Sequence, residues 1–303
     1  MRILILKLGA AGDVLRTTPI LTVLSGEIFW ITSSENLVLL AGNQKIKRCV
    51  AWEEADNLAI NEYDLVVNLE DSTQVGEFVR LLKYKSLFGA YLDDSNVPGY
   101  TDTSREWFDL SLISRFGKAR ADELKLKNRK SYQEMLFRGL GHRFKGQQYY
   151  LPRTDRSDLV GDIAIAEKAG SVWPMKGWAY YDELKVKLEG AGYKVNVLPQ
   201  RRTVLEHIAD VRNHKCLVSG DSLPMHIALG SGINCVTIFQ CTSPWEIYDY
   251  GVQAQIVSPL LEKYFYKRNF DPEATTSIPL SYVYEAVTQA MKTSQAGGKT
   301  RLG

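Results

Sequence analysis

The chain has 303 residues, 45% of them hydrophobic and 24% charged, which is the balance of a globular protein long enough for two domains with separate cores. Lys and Arg total 37 against 35 for Asp and Glu, a net charge of +2, so no broad nucleic-acid footprint is present and no nucleic-acid partner is expected. No apolar run reaches membrane-spanning length, and the short run before Lys7 is too brief for a secretory signal; a cytoplasmic location follows, with membrane contact at most peripheral. Cys49, Cys216, Cys235 and Cys241 are widely spaced with no CxxC, which indicates neither a metal site nor a disulfide framework. Cys216 and Cys235 fall in apolar strand patterns and read as small buried hydrophobes.

Residues 2–6 read as a buried parallel strand, followed by the small-residue turn Lys7-Leu8-Gly9-Ala10-Ala11-Gly12-Asp13. Helical apolar spacing then runs over 14–24. The glycines at 9 and 12 do not make GxGxxG, so no dinucleotide cofactor is inferred. Asp13, a carboxylate on a tight glycine turn at a strand's carboxyl end, suits either a general base or a cap for the following helix. Strands are expected at 28–32, 50–52, 63–69 and 86–90, with helices at 36–41 and 75–82. Alternation of this kind predicts a parallel sheet with helices on both faces. Glu70 and Asp71 end the 63–69 strand, where they line a cleft or a solvated loop. Residues 104–116 and 132–140 look helical within a stretch rich in Lys, Arg and aromatics, including Arg105 and Trp107; such a run is most simply a solvated helix face.

Residues 151–161 have linker composition and place the domain boundary near 155. A strand at 162–166 leads through Ser171, Trp173, Pro174 and Lys176-Gly177-Trp178 to a helix at 180–189 and a strand at 194–198. Pro199-Gln200-Arg201-Arg202 follows, then a helix over 205–211. The apolar run ending at Val218 enters Ser219-Gly220-Asp221-Ser222, and Pro224 to Leu229 read as a helix start. Asp221 or Ser222 suits its cap, Pro224 its first turn, and Gly230 and Gly232 its end. A strand over 235–239 completes a strand–turn–helix–strand unit. Free N–H groups at such a helix start favour phosphate, and ligands of open parallel sheets lie at the strands' carboxyl ends. A last edge strand is expected at 256–259, an amphipathic helix at 281–291, and a disordered end over 294–303.

Two of these stretches resemble the ADP-heptose:lipopolysaccharide heptosyltransferases, glycosyltransferase family 9. The first holds Lys7, Gly9, Gly12, Asp13, Thr18 and Pro19 at the family's spacing; the second holds Asp221, Pro224, Met225, His226 and Ala228. Ser222, Leu223 and Gln240 depart from the family's Thr, Gly and Gly, and Pro199–Arg202 replaces its glycine-rich turn, where an acidic residue commonly meets the nucleotide. The resemblance implies an α/β chain of the GT-B class: two Rossmann-like, doubly wound parallel-sheet domains facing a central cleft. Domain bounds of 1–155 for the acceptor and 156–280 for the nucleotide-sugar are implied, with a helix from 281 packing back on the first domain.

The resemblance further implies an inverting, metal-independent transfer of heptose from ADP-heptose to a saccharide or glycolipid acceptor such as lipopolysaccharide core. Asp13 would be the base. Lys176 or Ser171, with Asp221, Ser222, Leu223, Met225 and His226, would hold the donor; Gly9, Gly12, Thr18 and Arg105 would lie toward the acceptor. No cofactor, metal or obligate protein partner is implied. Two other readings stay open: the same architecture with another nucleotide-sugar or acceptor, and a non-catalytic nucleotide-sugar-binding protein.

Overall fold

The computed structural model describes residues 1–168, 170 and 172–297. The chain divides into two units, Met1–Pro152 and Arg153–Gly303, three residues earlier than the linker composition places the break.

The first unit carries β1 (Arg2–Leu6), α1 (Ala11–Thr17), β2 (Glu27–Thr32), α2 (Leu37–Leu40), β3 (Ile46–Ala51), α3 (Asp56–Ala59), β4 (Glu62–Asn68), α4 (Thr73–Leu81), β5 (Lys83–Leu92) and β6 (Pro98–Tyr100). It ends with α5 (Arg105–Phe108), α6 (Lys118–Lys127) and α7 (Tyr132–Gly139). The six strands lie in the order β3-β2-β1-β4-β5-β6, all parallel except β6, which pairs antiparallel with β5. Ile3, Leu4, Ile5 and Leu6 of β1 are wholly buried, which explains their unbroken apolar run: a central parallel strand is covered on both faces. Leu4, Leu6, Phe29, Ile31, Val66, Phe78 and Val79 form part of one core.

The second unit carries β7 (Ile163–Ala166), α8 (Tyr181–Gly190), β8 (Val195–Val197), α9 (Val204–Arg212), β9 (Cys216–Gly220), α10 (Leu223–Ser231), β10 (Asn234–Phe239), β11 (Gln253–Val257), α11 (Leu261–Tyr264), α12 (Pro272–Thr276) and α13 (Leu280–Gly297). Its five strands are parallel in the order β11-β10-β9-β7-β8. The chain runs from β7 outward to β8 and returns to β9 on the other side, so β7 and β9 flank the switch point where open sheets take ligands.

Helix α13 contributes to the second unit's core: Val283, Val287 and Met291, spaced one turn apart, join Ile163, Val218, Val236 and Leu184 there. Two expectations are corrected. Helix α1 stops at Thr17, because Pro19 lacks the N–H needed to continue the ladder, and a 3₁₀ turn takes over at Thr18–Thr22. Over 104–116 only α5 is helical. The Ser111 hydroxyl donates to the Phe108 carbonyl (2.9 Å) and accepts from Ile113 N–H (3.2 Å), and Ser114 accepts from Phe116 N–H (3.3 Å), so side chains replace the helix ladder. Helix α6 goes unforeseen because it has almost no apolar face; Ala121 is its buried residue, and Arg120 pairs with Glu123 at 2.6 Å. The expected disordered end begins inside α13, and residues 298–303 lie outside the described ones. All four cysteines are free, and burial pushes the Cys235 thiol up to about 12. Among the described residues no helix is long and apolar enough to cross a membrane.

Candidate functional site

In the first unit the turn after β1 sets Asp13 in the opening turn of α1. Asp13 is not the cap: Ala10 holds that position with no side-chain hydrogen bond. The carboxylate instead meets Arg16, one turn along the same helix, with Oδ1 2.8 Å from the guanidinium. The Arg16 guanidinium lies 4.2 Å from the centre of the Tyr132 ring and 5.4 Å from that of Trp107, two rings that meet edge to face. The Tyr132 hydroxyl shares a 2.8 Å hydrogen bond with Thr17, so α7 is locked to α1 beside the carboxylate.

Lys7 stands behind this corner, 8% exposed, its Nζ donating to Glu70 at 2.9 Å. The same Glu70 oxygen accepts from Leu8 N–H at 2.7 Å, so Glu70 is a brace for the β1 turn. Burial strips water from the Lys7 ammonium and pulls its pKa down; the Asp13 and Glu70 carboxylates outweigh this and hold it above the ordinary lysine value. The corner thus gathers two cations and two carboxylates.

The other acceptor-side candidates separate. Gly9 and Gly12 line the turn itself, and a Cβ added at Gly9 would lie 3.7 Å from Asn36 Nδ2. Thr18 is 2% exposed, donating to the Leu15 carbonyl (2.7 Å) and accepting from Tyr150 N–H (2.8 Å), so it pins the end of the unit. Arg105 is exposed, whereas its neighbour Trp107 reaches Arg16.

In the second unit Asp221 follows β9 directly, and Lys176 closes a short 3₁₀ turn, Pro174–Lys176. Lys176 Nζ donates to the Asp221 carboxylate at 3.0 Å and to the Asp221 carbonyl at 2.6 Å; both side chains are 16% exposed. Ser222 occupies the N-cap of α10, but its hydroxyl turns back toward the Gly220 carbonyl (3.4 Å), so it does not satisfy the helix's N–H groups. Leu223 and Pro224 open the helix, while Met225 and His226 are buried along it at 0% and 5% exposure. Ser171 lies outside the described residues. Cys241, after β10, is close enough to feel both charges, and burial pushes its thiol up to about 11.

A cavity of about 420 Å³ opens at the carboxyl ends of β7, β8 and β9. Ser222, Leu223 and Pro224 wall one side, Leu198–Arg202 another, and His207 and Lys168 close it. His207 and Lys168 were not singled out from sequence, and Arg201–Arg202 only as a departure; a histidine one turn into α9 carries no signal of its own. Burial pulls the His207 pKa below its usual value, so the ring is neutral at neutral pH. Arg201 is committed elsewhere: Nε and Nη2 grip the buried Asp210 at 2.7 and 2.8 Å, and Nη2 also reaches Asp158 at 2.8 Å.

Solved structures share this architecture across nearly the whole chain. A glycosyl transferase of family 9 from Veillonella parvula DSM 2008 superposes with a TM-score of 0.64 at 16% identity, covering 96% of this chain and 97% of that one. The ADP-heptose lps heptosyltransferase II of E. coli gives 0.65 at 14% identity over 97% and 100% of the two chains. The fold is GT-B. E. coli heptosyltransferase WaaC, solved with ADP, superposes on this GT-B chain at 0.60 and 17% identity over 96% and 100%. No family model matches the sequence, and no curated protein matches it.

Proposed function

We propose that this chain is an inverting glycosyltransferase of the family 9 type that moves heptose from ADP-heptose to a hydroxyl of a saccharide acceptor, lipopolysaccharide core or a related glycan. The observation that carries the reading is the second unit's cavity, walled by the start of α10, with Asp221 just before that helix and Lys176 clasped to it from the Pro174–Lys176 turn. That arrangement suits a nucleoside diphosphate: apolar walls for the base, and an ammonium and helix N–H groups for the phosphates. WaaC, with the same fold, is a heptosyltransferase solved with ADP, which supports the donor named here.

In this reading Asp13 takes the proton from the acceptor hydroxyl. The acceptor oxygen then bonds to the anomeric carbon from the face opposite the diphosphate. The bond from that carbon to the phosphate oxygen breaks, and ADP leaves with the electron pair, so the configuration inverts. Asp221 holds sugar hydroxyls, while Lys176 and the start of α10 meet the charge growing on the leaving phosphate. They supply the positive charge, and transfer is therefore expected to survive chelation of divalent metal.

The walls of the cavity favour keeping one alternative: the same reaction with another nucleotide, because Pro199, Gln200 and Arg202 stand where the resemblance leads one to expect an acidic residue. Titration with ADP, UDP, GDP, CDP and ADP-heptose, followed by product analysis with a saccharide acceptor, separates the readings. ADP and ADP-heptose alone should bind and raise the melting temperature. Binding of UDP or GDP instead replaces the donor, and a folded protein that binds no nucleotide overturns the reading.

A further inference from the structure

The Asp13 corner contains a residue that the proposed chemistry has not used. A carboxylate that works as a base must be ionised and must point its lone pair at the incoming hydroxyl. That orientation has to come from side-chain contacts, since the turn is built of small residues and Ala10, not Asp13, holds the N-cap of α1.

Arg16 supplies it. Its side chain is 11% exposed, against 35% for Asp13, so the cation is interior and the carboxylate half open. One face of the guanidinium is set against Tyr132 at 4.2 Å, with Trp107 at 5.4 Å. Tyr132 is 1% exposed and tied to Thr17, so the rings cannot drift. A planar cation held in this way presents its N–H edge to Asp13 in one orientation. We propose that Arg16, gripped by Trp107 and Tyr132, is a positioning residue that aims the Asp13 carboxylate and keeps it charged. This rests on the reading of Asp13 as base, while its structural half does not.

Among the groups facing Asp13 are Arg16 on its own helix, Lys7 after β1, Glu70 after β4 and Tyr132 on α7. Lys7, paired with Glu70 at 2.9 Å, also feels the Asp13 charge, and Arg16 makes a direct ion pair with Asp13 at 2.8 Å.

The test uses the full chain with carboxyl-labelled aspartate, titrated by carbon NMR, with Asp13→Asn identifying the resonance. Arg16→Met should raise the Asp13 midpoint by about one pH unit, since a neighbouring guanidinium lowers an aspartate by about that much or more. Arg16→Lys should recover part of the change, and Trp107→Leu should produce a smaller rise. In the transfer assay the acid limb of kcat/KM should move with the midpoint, while KM for the nucleotide-sugar stays within about twofold. An unmoved midpoint in folded Arg16→Met overturns the proposal, as does an acid limb that stays put while kcat falls. If Asp13→Asn keeps full transfer, the base reading fails by itself, and the NMR midpoint still decides what Arg16 does.

Discussion

The two units solve the same local problem differently. Each places an aspartate just after a glycine, at the passage from a buried strand into a helix, and each gives it a cation. Asp13 takes its partner from its own helix, three residues on. Asp221 takes Lys176 from 45 residues upstream, and that lysine also donates to the Asp221 backbone carbonyl. The first pair is local, and rings from the far end of its unit hold the cation in place. The second pair is a tertiary clasp that closes the Pro174–Lys176 turn onto β9. A carboxylate held by a fixed cation keeps its aim and can receive a proton. A lysine shared between a carboxylate and a carbonyl can trade one of them for phosphate, which suits a donor site.

The difference is broken most forcefully at Asp13. Asp13→Asn keeps the shape and removes the proposed proton acceptor, and should cut transfer by about 10²- to 10⁴-fold. Nucleotide affinity, measured by calorimetry, should change by less than about twofold, because the cavity belongs to the second unit. Equal losses of both would mean that Asp13 acts through folding instead.

The Lys176 clasp should respond in the opposite sense. Lys176→Met should weaken ADP binding by about 10- to 100-fold, the worth of a charged hydrogen bond. Combining it with Asp221→Asn should recover part of the loss of stability, since the single change leaves Asp221 without its ammonium. Strictly additive losses would show that the two side chains do not work as a unit.

Gly220 sharpens the same point through backbone. A Cβ at this position would stand 2.8 Å from the Lys176 carbonyl, closer than side-chain carbons come to backbone. Gly220→Ala should therefore push the 174–176 turn off β9, costing about 1–3 kcal/mol in denaturant unfolding and a smaller share of nucleotide affinity than Lys176→Met. If stability falls and ADP binds as before, the clasp is architecture only.

How much of this was legible follows from where each interaction lies in the chain. The two glycine–aspartate turns were visible because strand, turn and helix start are each local patterns. The Asp13–Arg16 pair lay in plain sight at i,i+3 spacing, but reading it needs the clamp, and Trp107 and Tyr132 lie more than eighty residues downstream. Between Ser171 and Lys176 the sequence left the choice open; the structure places Lys176 at Asp221, while Ser171 lies outside the described residues. That α13 joins the second unit's core was not legible, because amphipathic spacing shows that a face is buried and not against what. The cavity wall at 198–207 escaped because a cavity is made by three strand ends that are neighbours only after folding.

The smallest expected effect separates the units by pH. In the second unit burial lowers the pKa of both His207 and His214 below the usual 6.5. Asn196 Nδ2 stands 2.9 Å from His214 Nε2, and Nδ1 lies 2.7 Å from the Asp210 carbonyl. An amide N–H can only donate, so Nε2 accepts and the proton sits on Nδ1. A second proton would break the Asn196 bond. With folded pKa values below the unfolded one, the unfolded chain binds more protons in this range. The histidines' stabilising effect is thus complete above about pH 6.5 and fades as pH falls below it. Lys7 in the first unit has the opposite sign. Its folded pKa lies above 10.5, so its contribution is complete below that pH and is lost as pH climbs through the folded value. Hydrogen exchange resolved by unit should therefore show strand β8 and helix α9 loosening first in mild acid, and β1 and α1 first in strong base. His214→Asn should blunt the acid response alone. The same order of loosening in acid and in base would mean that these buried groups do not set the pH limits of their units.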